Sequence, residues 1–330
     1  MRDLYNLHKF YSNDKSSKQL NNRRKSFGYQ VLGFGSGGSV ALVTNDKGIF
    51  AFGRVHPTYV SMSNLVSNTG VVSTDVGGVG TAREGSAATQ YGVDKGIMGY
   101  GTTGSKVSMT NLVSNTGVVG SDVTGVGTAR NGLGSCSYDY QDKGIFAYGA
   151  NAAGTYIGTS NLISNVGVVA TDVSGVGSSR YLVAACEFGG DKGIIAFCYG
   201  PGHEWQSISN IVSNVGVIAS DVSHTGTGRQ SPGGCSYGGD KGIFGYGYDA
   251  TGSLSSSNLV SNVGVIGADV SGVGTGRDSL SACEYGQDKG IFAYGGNNNI
   301  SNLVSNVGVC SADVTGVGTA RNYAGSCSYA

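Results

Sequence analysis

Catalysis needs an asymmetric set of side chains at one point: a nucleophile, a base and an electrostatic partner. This chain offers few from which to build one. Beyond residue 25 it has 19 Asp/Glu, and twelve recur at fixed places: Asp46, Asp94, Asp142, Asp191, Asp240 and Asp288 in the tripeptide DKG, and Asp75, Asp122, Asp172, Asp221, Asp269 and Asp313 in a DV phrase. Seven are left over: Glu84, Asp139, Glu187, Glu204, Asp249, Asp278 and Glu284. Of the 14 Lys/Arg in the same region, six are the DKG lysines and six are Arg83, Arg130, Arg180, Arg229, Arg277 and Arg321, which leaves Arg54 and Lys106. A residue present in every repeat is explained by the geometry of every repeat. Fixed ion pairs and turn-capping carboxylates that lock neighbouring repeats are therefore the simplest role for the repeated Asp, Lys and Arg. A Ca²⁺ loop needs several oxygen ligands in a short span, and DVSGVG (172–177) supplies one carboxylate and a Ser.

His8, His56, His203 and His224 occupy unrelated positions, none with a second His or Cys at metal spacing, and no C-x-x-C is present. Neither a metal nor another cofactor is expected. Five of the seven cysteines, Cys136, Cys186, Cys235, Cys283 and Cys327, fill one slot in successive repeats. Equivalent slots in neighbouring repeats lie too far apart to bridge, so free buried thiols and assembly in a reducing compartment are expected.

The elements that must position these residues come from an internal repeat. The DKG copies start at 46, 94, 142, 191, 240 and 288, at steps of 48 or 49. Each opens a phrase like DKGIFAYG (142–149), followed by a variable loop, then SNLVSN, then VGVVATDVSGVG (166–177), an Arg, and a small-residue run such as YLVAACEFGG (181–190). The apolar, β-branched and aromatic phrases bounded by Gly read as four short strands, and helical periodicity is absent. Four strands in about 48 residues is one propeller blade, so an all-β, six-bladed β-propeller is expected. A β-solenoid and a seven-bladed ring with 27–45 as a partial blade are the alternatives. Two segments compete for one strand position in a six-bladed ring, 37–45 and 322–329.

The order of Arg, small apolar strand and aromatic-Gly strand resembles the kelch-type propeller repeat, without most of its second glycines and its later Trp. The phrases DKGIFAYG and NLVSNxGVV also resemble repeats of uncharacterised virus and phage proteins. These likenesses span roughly 38–330 and imply a propeller and a virion setting, not a particular ligand.

Residues 1–26 stand apart as an N-terminal anchor or tail, with the propeller in 27–330. Residues 1–25 carry seven Lys/Arg against two Asp, a net of +5. Their apolar residues, Leu4, Tyr5, Leu7, Phe10 and Tyr11, suit docking to a protein partner. The rest of the chain is then mildly acidic, which disfavours nucleic acid as a partner. No apolar run approaches the ~18 residues of a membrane span. The loops after each IFAYG strand differ in every repeat, and variable loops on a repeat scaffold are the place for recognition. The expected contacts with a glycan or receptor are His203, Glu204, Trp205, His56, Tyr59 and Tyr156, with Trp205 the only Trp. Together these observations point to a non-enzymatic structural or binding propeller in a larger assembly, a virion or phage fibre or decoration protein assembled in the cytoplasm. The alternatives are a propeller enzyme acting on glycans, for which Glu204 is the strongest single carboxylate, and an intracellular kelch-like adaptor.

Overall fold

The computed structural model describes residues 45–330. The fold is all-β. Six antiparallel sheets follow one another along the chain, each centred on a DKG strand: Lys47–Ala51, Lys95–Gly99, Lys143–Ala147, Lys192–Tyr199, Lys241–Gly245 and Lys289–Ala293. On one side the DKG strand pairs with the small-residue strand that precedes it, as Gly134–Tyr138 pairs with Lys143–Ala147. On the other side it pairs with the SNLV strand that follows, Ser160–Ile163 in the same sheet. The first sheet takes its small-residue strand from the far end of the sequence: Gly325–Tyr329 pairs with Lys47–Ala51, in register Ile49 with Cys327. Of the two candidate segments, 322–329 supplies this strand; 37–44 lies outside the described residues.

The expected VGVV strand is instead a tight turn with a single bridge at its end, Ile163 to Val169. The DV phrase after it adds another bridge, Ser160 to Val173 and Ser257 to Val270, and only the fourth sheet has a two-residue strand there, Val222–Ser223. The Ser before the turn, Ser164 for example, accepts a hydrogen bond at 3.1 Å from the N–H four residues on, here Val168. A side chain that satisfies the backbone locally removes the reason to pair in a ladder. The turn valines are left in solvent, Val166 and Val168 at 69% and 63% exposure.

Neighbouring sheets are joined by a repeated contact around a fully buried arginine. The Arg130 guanidinium lies 4.2 Å from the Tyr100 ring of the second sheet. It donates to Tyr148 O (2.8 Å), Thr128 O (3.0 Å) and Asn161 Oδ1 (2.7 Å), spanning the junction with the third sheet. Arg83, Arg180, Arg229, Arg277 and Arg321 stack likewise on Phe52, Tyr148, Phe197, Tyr246 and Tyr294. A second joint lies at the DKG glycine, which has no Cβ because the slot residue of the preceding sheet fills that space. Cys136 Sγ covers Gly193, Cys186 covers Gly242, Cys235 covers Gly290, Cys283 covers Gly48, Cys327 covers Gly96 and Thr89 covers Gly144. Burial pushes the thiol pKa values up, Cys327 to about 12, and all seven thiols are free. None of the six fully packed thiols should react with iodoacetamide in the native protein, while the denatured, unreduced chain should yield seven carboxamidomethyl groups by mass spectrometry.

The DV aspartates close the arginine joint. Asp172 accepts from Thr128 N–H (3.0 Å), Thr128 Oγ1 (2.6 Å) and Asn161 Nδ2 (2.9 Å), with Arg130 at 4.0 Å. Burial opposes the charge on its carboxyl, yet these hydrogen bonds and the arginine outweigh it and hold the pKa below the ordinary value. Asp75, Asp122, Asp221, Asp269 and Asp313 are lowered in the same way. A depressed carboxylate adds stability that is complete above the unfolded value of about 3.9 and is lost as pH falls through the folded value. The melting temperature should therefore stay level from pH 7 to about 5 and drop below pH 4, and the drop should be shallower in Asp172→Asn.

Candidate functional site

The residue two places after each buried arginine donates its N–H to the matching carbonyl of the preceding sheet. Gly85 bonds Tyr323 O (3.0 Å), Gly132 bonds Gly85 O (3.1 Å), Leu182 bonds Gly132 O (2.8 Å), Ser231 bonds Leu182 O (3.0 Å), Ser279 bonds Ser231 O (3.2 Å) and Tyr323 bonds Ser279 O (2.8 Å). The series returns to its start. All six residues sit in the left-handed region, φ 52–64°. For the four non-glycines this conformation costs about 1 kcal/mol or more each, held by the surrounding joints.

The mouth defined by this circle gathers the residues just before its members: Glu84, Asn131, Tyr181, Gln230, Asp278 and Asn322. They follow an arginine that never changes, and five residue types occur among the six. Sequence reasoning counted Glu84 and Asp278 only as unrepeated carboxylates and passed over the other four. The signal was a variable position inside an otherwise constant phrase.

On one side of this mouth stands a file of aromatic rings. Tyr156 stacks on Tyr181 (5.4 Å, 20°), Tyr181 pairs through its backbone with Tyr199, Tyr199 packs on His203 (5.7 Å) and Trp205 (5.9 Å), and Trp205 meets Tyr248 of the next sheet (6.4 Å). The file exists because the fourth sheet is taller than the rest, with strands Lys192–Tyr199 and Trp205–Val212 of eight residues each. In the other sheets a glycine with φ between 79 and 113° turns the chain away after the DKG strand: Gly53, Gly101, Gly149, Gly247 and Gly295. Cys198 stands at that place in the fourth sheet. It continues the pairing across a bulge between Ala196 and Cys198, since a side chain disfavours the left-handed turn. Of the residues expected from sequence, Tyr156, His203 and Trp205 thus share one file. Glu204, exposed at its outer end, accepts from Gln206 Nε2 (2.5 Å).

His56 and Tyr59 belong to a separate hairpin, Arg54–Val55 with Thr58–Tyr59. Arg54 lies over the Tyr59 ring (5.6 Å) and donates to Glu84 Oε1 (3.4 Å). Burial raises the Glu84 pKa, and Arg54, Lys106 and His56 oppose the rise. Asp278 accepts from Ser253 (3.1 Å) and Ser279 (2.8 Å). The Tyr323 phenol is pushed up by burial and by the nearby Asp278 and Glu84 charges, which makes it a poor nucleophile. Six buried side-chain atoms around the mouth and the file have no hydrogen-bond partner: Arg54 Nε, Glu84 Oε2, Ser86 Oγ, Asn131 Oδ1, Ser231 Oγ and Trp205 Nε1.

The small-residue strands of all six sheets also line a common cavity of about 40 Å³, room for a few waters and not for a sugar. Glu187 and Glu284 line it; Glu187 accepts from Ser137 (2.9 Å) and Glu284 from Gln141 Nε2 (3.1 Å).

The repeated charges lie elsewhere. At the opposite face, the DKG aspartates Asp46, Asp94, Asp191, Asp240 and Asp288 pair with their own lysines, while Lys143 pairs with Asp139. The anchor residues Leu4, Tyr5, Leu7, Phe10 and Tyr11 lie outside the described residues. Among the described residues no cluster of His, Cys, Asp or Glu has metal-binding geometry, and no helix is long and apolar enough to cross a membrane. No protein-family model and no curated protein matches the chain.

Proposed function

We propose that the six sheets are the blades of a six-bladed β-propeller of kelch-like order, and that it is a non-enzymatic binding and structural module of a larger assembly. A virion or phage particle is the setting that the repeat phrases suggest. The propeller reading is supported by two circles of backbone hydrogen bonds. One is the circle at the mouth. The other runs at the DKG end, from Ala330 to Asp94 O, Gly92 to Asp142 O, Asp139 to Asp191 O, Gly189 to Asp240 O, Gly238 to Asp288 O and Gly286 to Asp46 O, and it too returns to its first sheet. A rotational average with other than six lobes would overturn it.

The binding reading rests on one observation: the repeated arginines and DV aspartates hold sheets together and the DKG pairs cover the opposite face, while Trp205, the tyrosines of the file and the varied residues of the mouth collect on the face of the variable loops. A rigid scaffold with one irregular face is built to recognise. Its target is a glycan or a protein. Exchange of residues 198–208 for the six-residue loop 295–300 removes the paired ends 198–199 and 205–208; it should lower the melting temperature by several degrees, leave incorporation into the particle intact and abolish capture of the particle's surface target. Deletion of residues 1–26 should do the reverse and abolish incorporation. Unchanged capture after the loop exchange, or unchanged incorporation after the deletion, would refute the corresponding half.

A further inference from the structure

We propose that the mouth on the loop face and the aromatic file leading from it to Trp205 bind a neutral oligosaccharide. This rests on the loop face being the recognising one. Three features select the ligand class. The first is the file itself: Tyr156, Tyr181, Tyr199, Trp205 and Tyr248 follow one another at centroid separations of 5.4–6.4 Å where a ring contact joins them. Tyr248 at its end is 38% exposed. Amphipathic rings along one file suit the C–H faces of sugar units; Tyr181, held between Tyr156 and Gly132 with its OH accepting from Asn131 Nδ2 (3.3 Å), supports the file rather than offering a face.

The second is the mixture of unsatisfied groups. Asn131, Ser86 and Ser231 are 6%, 8% and 8% exposed, and each has a polar atom without a partner. Trp205 Nε1 and Arg54 Nε can only donate; Glu84 Oε2 and Asn131 Oδ1 accept. A phosphate or sulfate would satisfy the donors alone, and an ammonium the acceptors alone. A hydroxyl does both, and a sugar presents several at fixed spacing.

The third is charge. Outside the repeated pairs the only cations beyond residue 25 are Arg54 and Lys106, and both act on Glu84. With Asp278 also at the mouth, the described residues leave no surplus positive charge there for a sulfated or sialylated chain, so the ligand is neutral.

Trp205 is the only tryptophan in the sequence, so its fluorescence reports this site alone. The full chain is titrated with tetrasaccharides of β-linked glucose, β-linked galactose, β-linked N-acetylglucosamine and α-linked mannose, beside sulfated and sialylated tetrasaccharides. At least one neutral tetrasaccharide should give a saturable change. Tyr199→Ala and Gln230→Ala should weaken it by about tenfold or more, and Val168→Ala on the opposite face should leave it unchanged, with melting temperature checked for each. Response to the anionic chains only, equal affinity in both mouth variants, or no response to any neutral chain would each overturn the proposal. If no sugar binds while the loop exchange still abolishes target capture, the glycan assignment falls and the target is a protein. If the exchange also changes nothing, the binding reading itself falls.

Discussion

A chain stopped after residue 324 should show no cooperative melting transition. The residues removed pair along their whole length with Lys47–Ala51 and bury Cys327, Ser328 and Tyr329 almost completely. They also reach two other sheets. Ser326 Oγ donates to Ala282 O (2.7 Å) and Ser328 Oγ to Glu284 O (2.8 Å) in the sixth, while Cys327 fills the space over Gly96 and Ala330 N–H bonds Asp94 O (3.2 Å) in the second. Deleting them leaves one strand edge unpaired, empties the joints on both sides and opens the circle of bonds at the DKG end. A typical domain has only about 5–15 kcal/mol of net stability to lose, and this deletion removes contacts from three sheets at once. Circular dichroism on heating is the measurement. A synthetic peptide of residues 320–330 should restore part of the transition in trans, and deletion of residues 201–204 in the exposed fourth loop should lower the melting temperature by only a few degrees. A truncated chain that melts like the full one would show that the first sheet does not depend on this strand.

Replacement of one buried arginine is the next largest effect expected. Arg130→Ala should cost about 3–5 kcal/mol, the usual range when one partner of a buried charged network is removed. It strands Asn161 and the Tyr148 and Thr128 carbonyls, leaves a cavity against the Tyr100 ring, and takes from Asp172 a cation that holds its pKa low. For a domain of this size the melting temperature should fall by on the order of 10 °C. Arg130→Lys should recover little, because an ammonium cannot lie flat on the ring and reach three acceptors at once. Urea denaturation of wild type, Arg130→Ala and Arg130→Lys measures both statements. A loss below about 1 kcal/mol would place the joint's stability elsewhere, and a stable Arg130→Ala protein that no longer captures its target would move the arginine from the scaffold to the site.

Much of the scaffold was readable from residue type and spacing. Six DKG phrases at a nearly constant step announce six equal units, and an arginine in each announces a role that every unit shares. What could not be read was how the units meet. The segments 37–45 and 322–329 fit the same strand position by pattern, and pattern has no term for which of them lies beside Lys47–Ala51. The VGVV phrase has the composition of a strand, but Ser164 and its equivalents satisfy the backbone locally and turn it into a hairpin.

The candidate site was half visible. Trp205, His203 and Tyr156 stood out because they interrupt the repeat, and they do meet in one aromatic file. Asn131, Tyr181, Gln230 and Asn322 did not, because each is an unremarkable polar or aromatic residue about 48 positions from the next, and periodicity was read for what it keeps constant. The sequence by itself determined the number of units, three of the four strands expected in each and the residues that must recur, because local hydrogen bonding and side-chain shape act over a few neighbours. Only the tertiary structure decided which residues share the mouth, and it did so through contacts between sheets. The cysteine of one sheet, or Thr89 in the second, fills the space over the glycine of the next. The arginine of each junction lies on one sheet's ring and bonds to its neighbour. Six left-handed residues, scattered from 85 to 323, close a circle of hydrogen bonds.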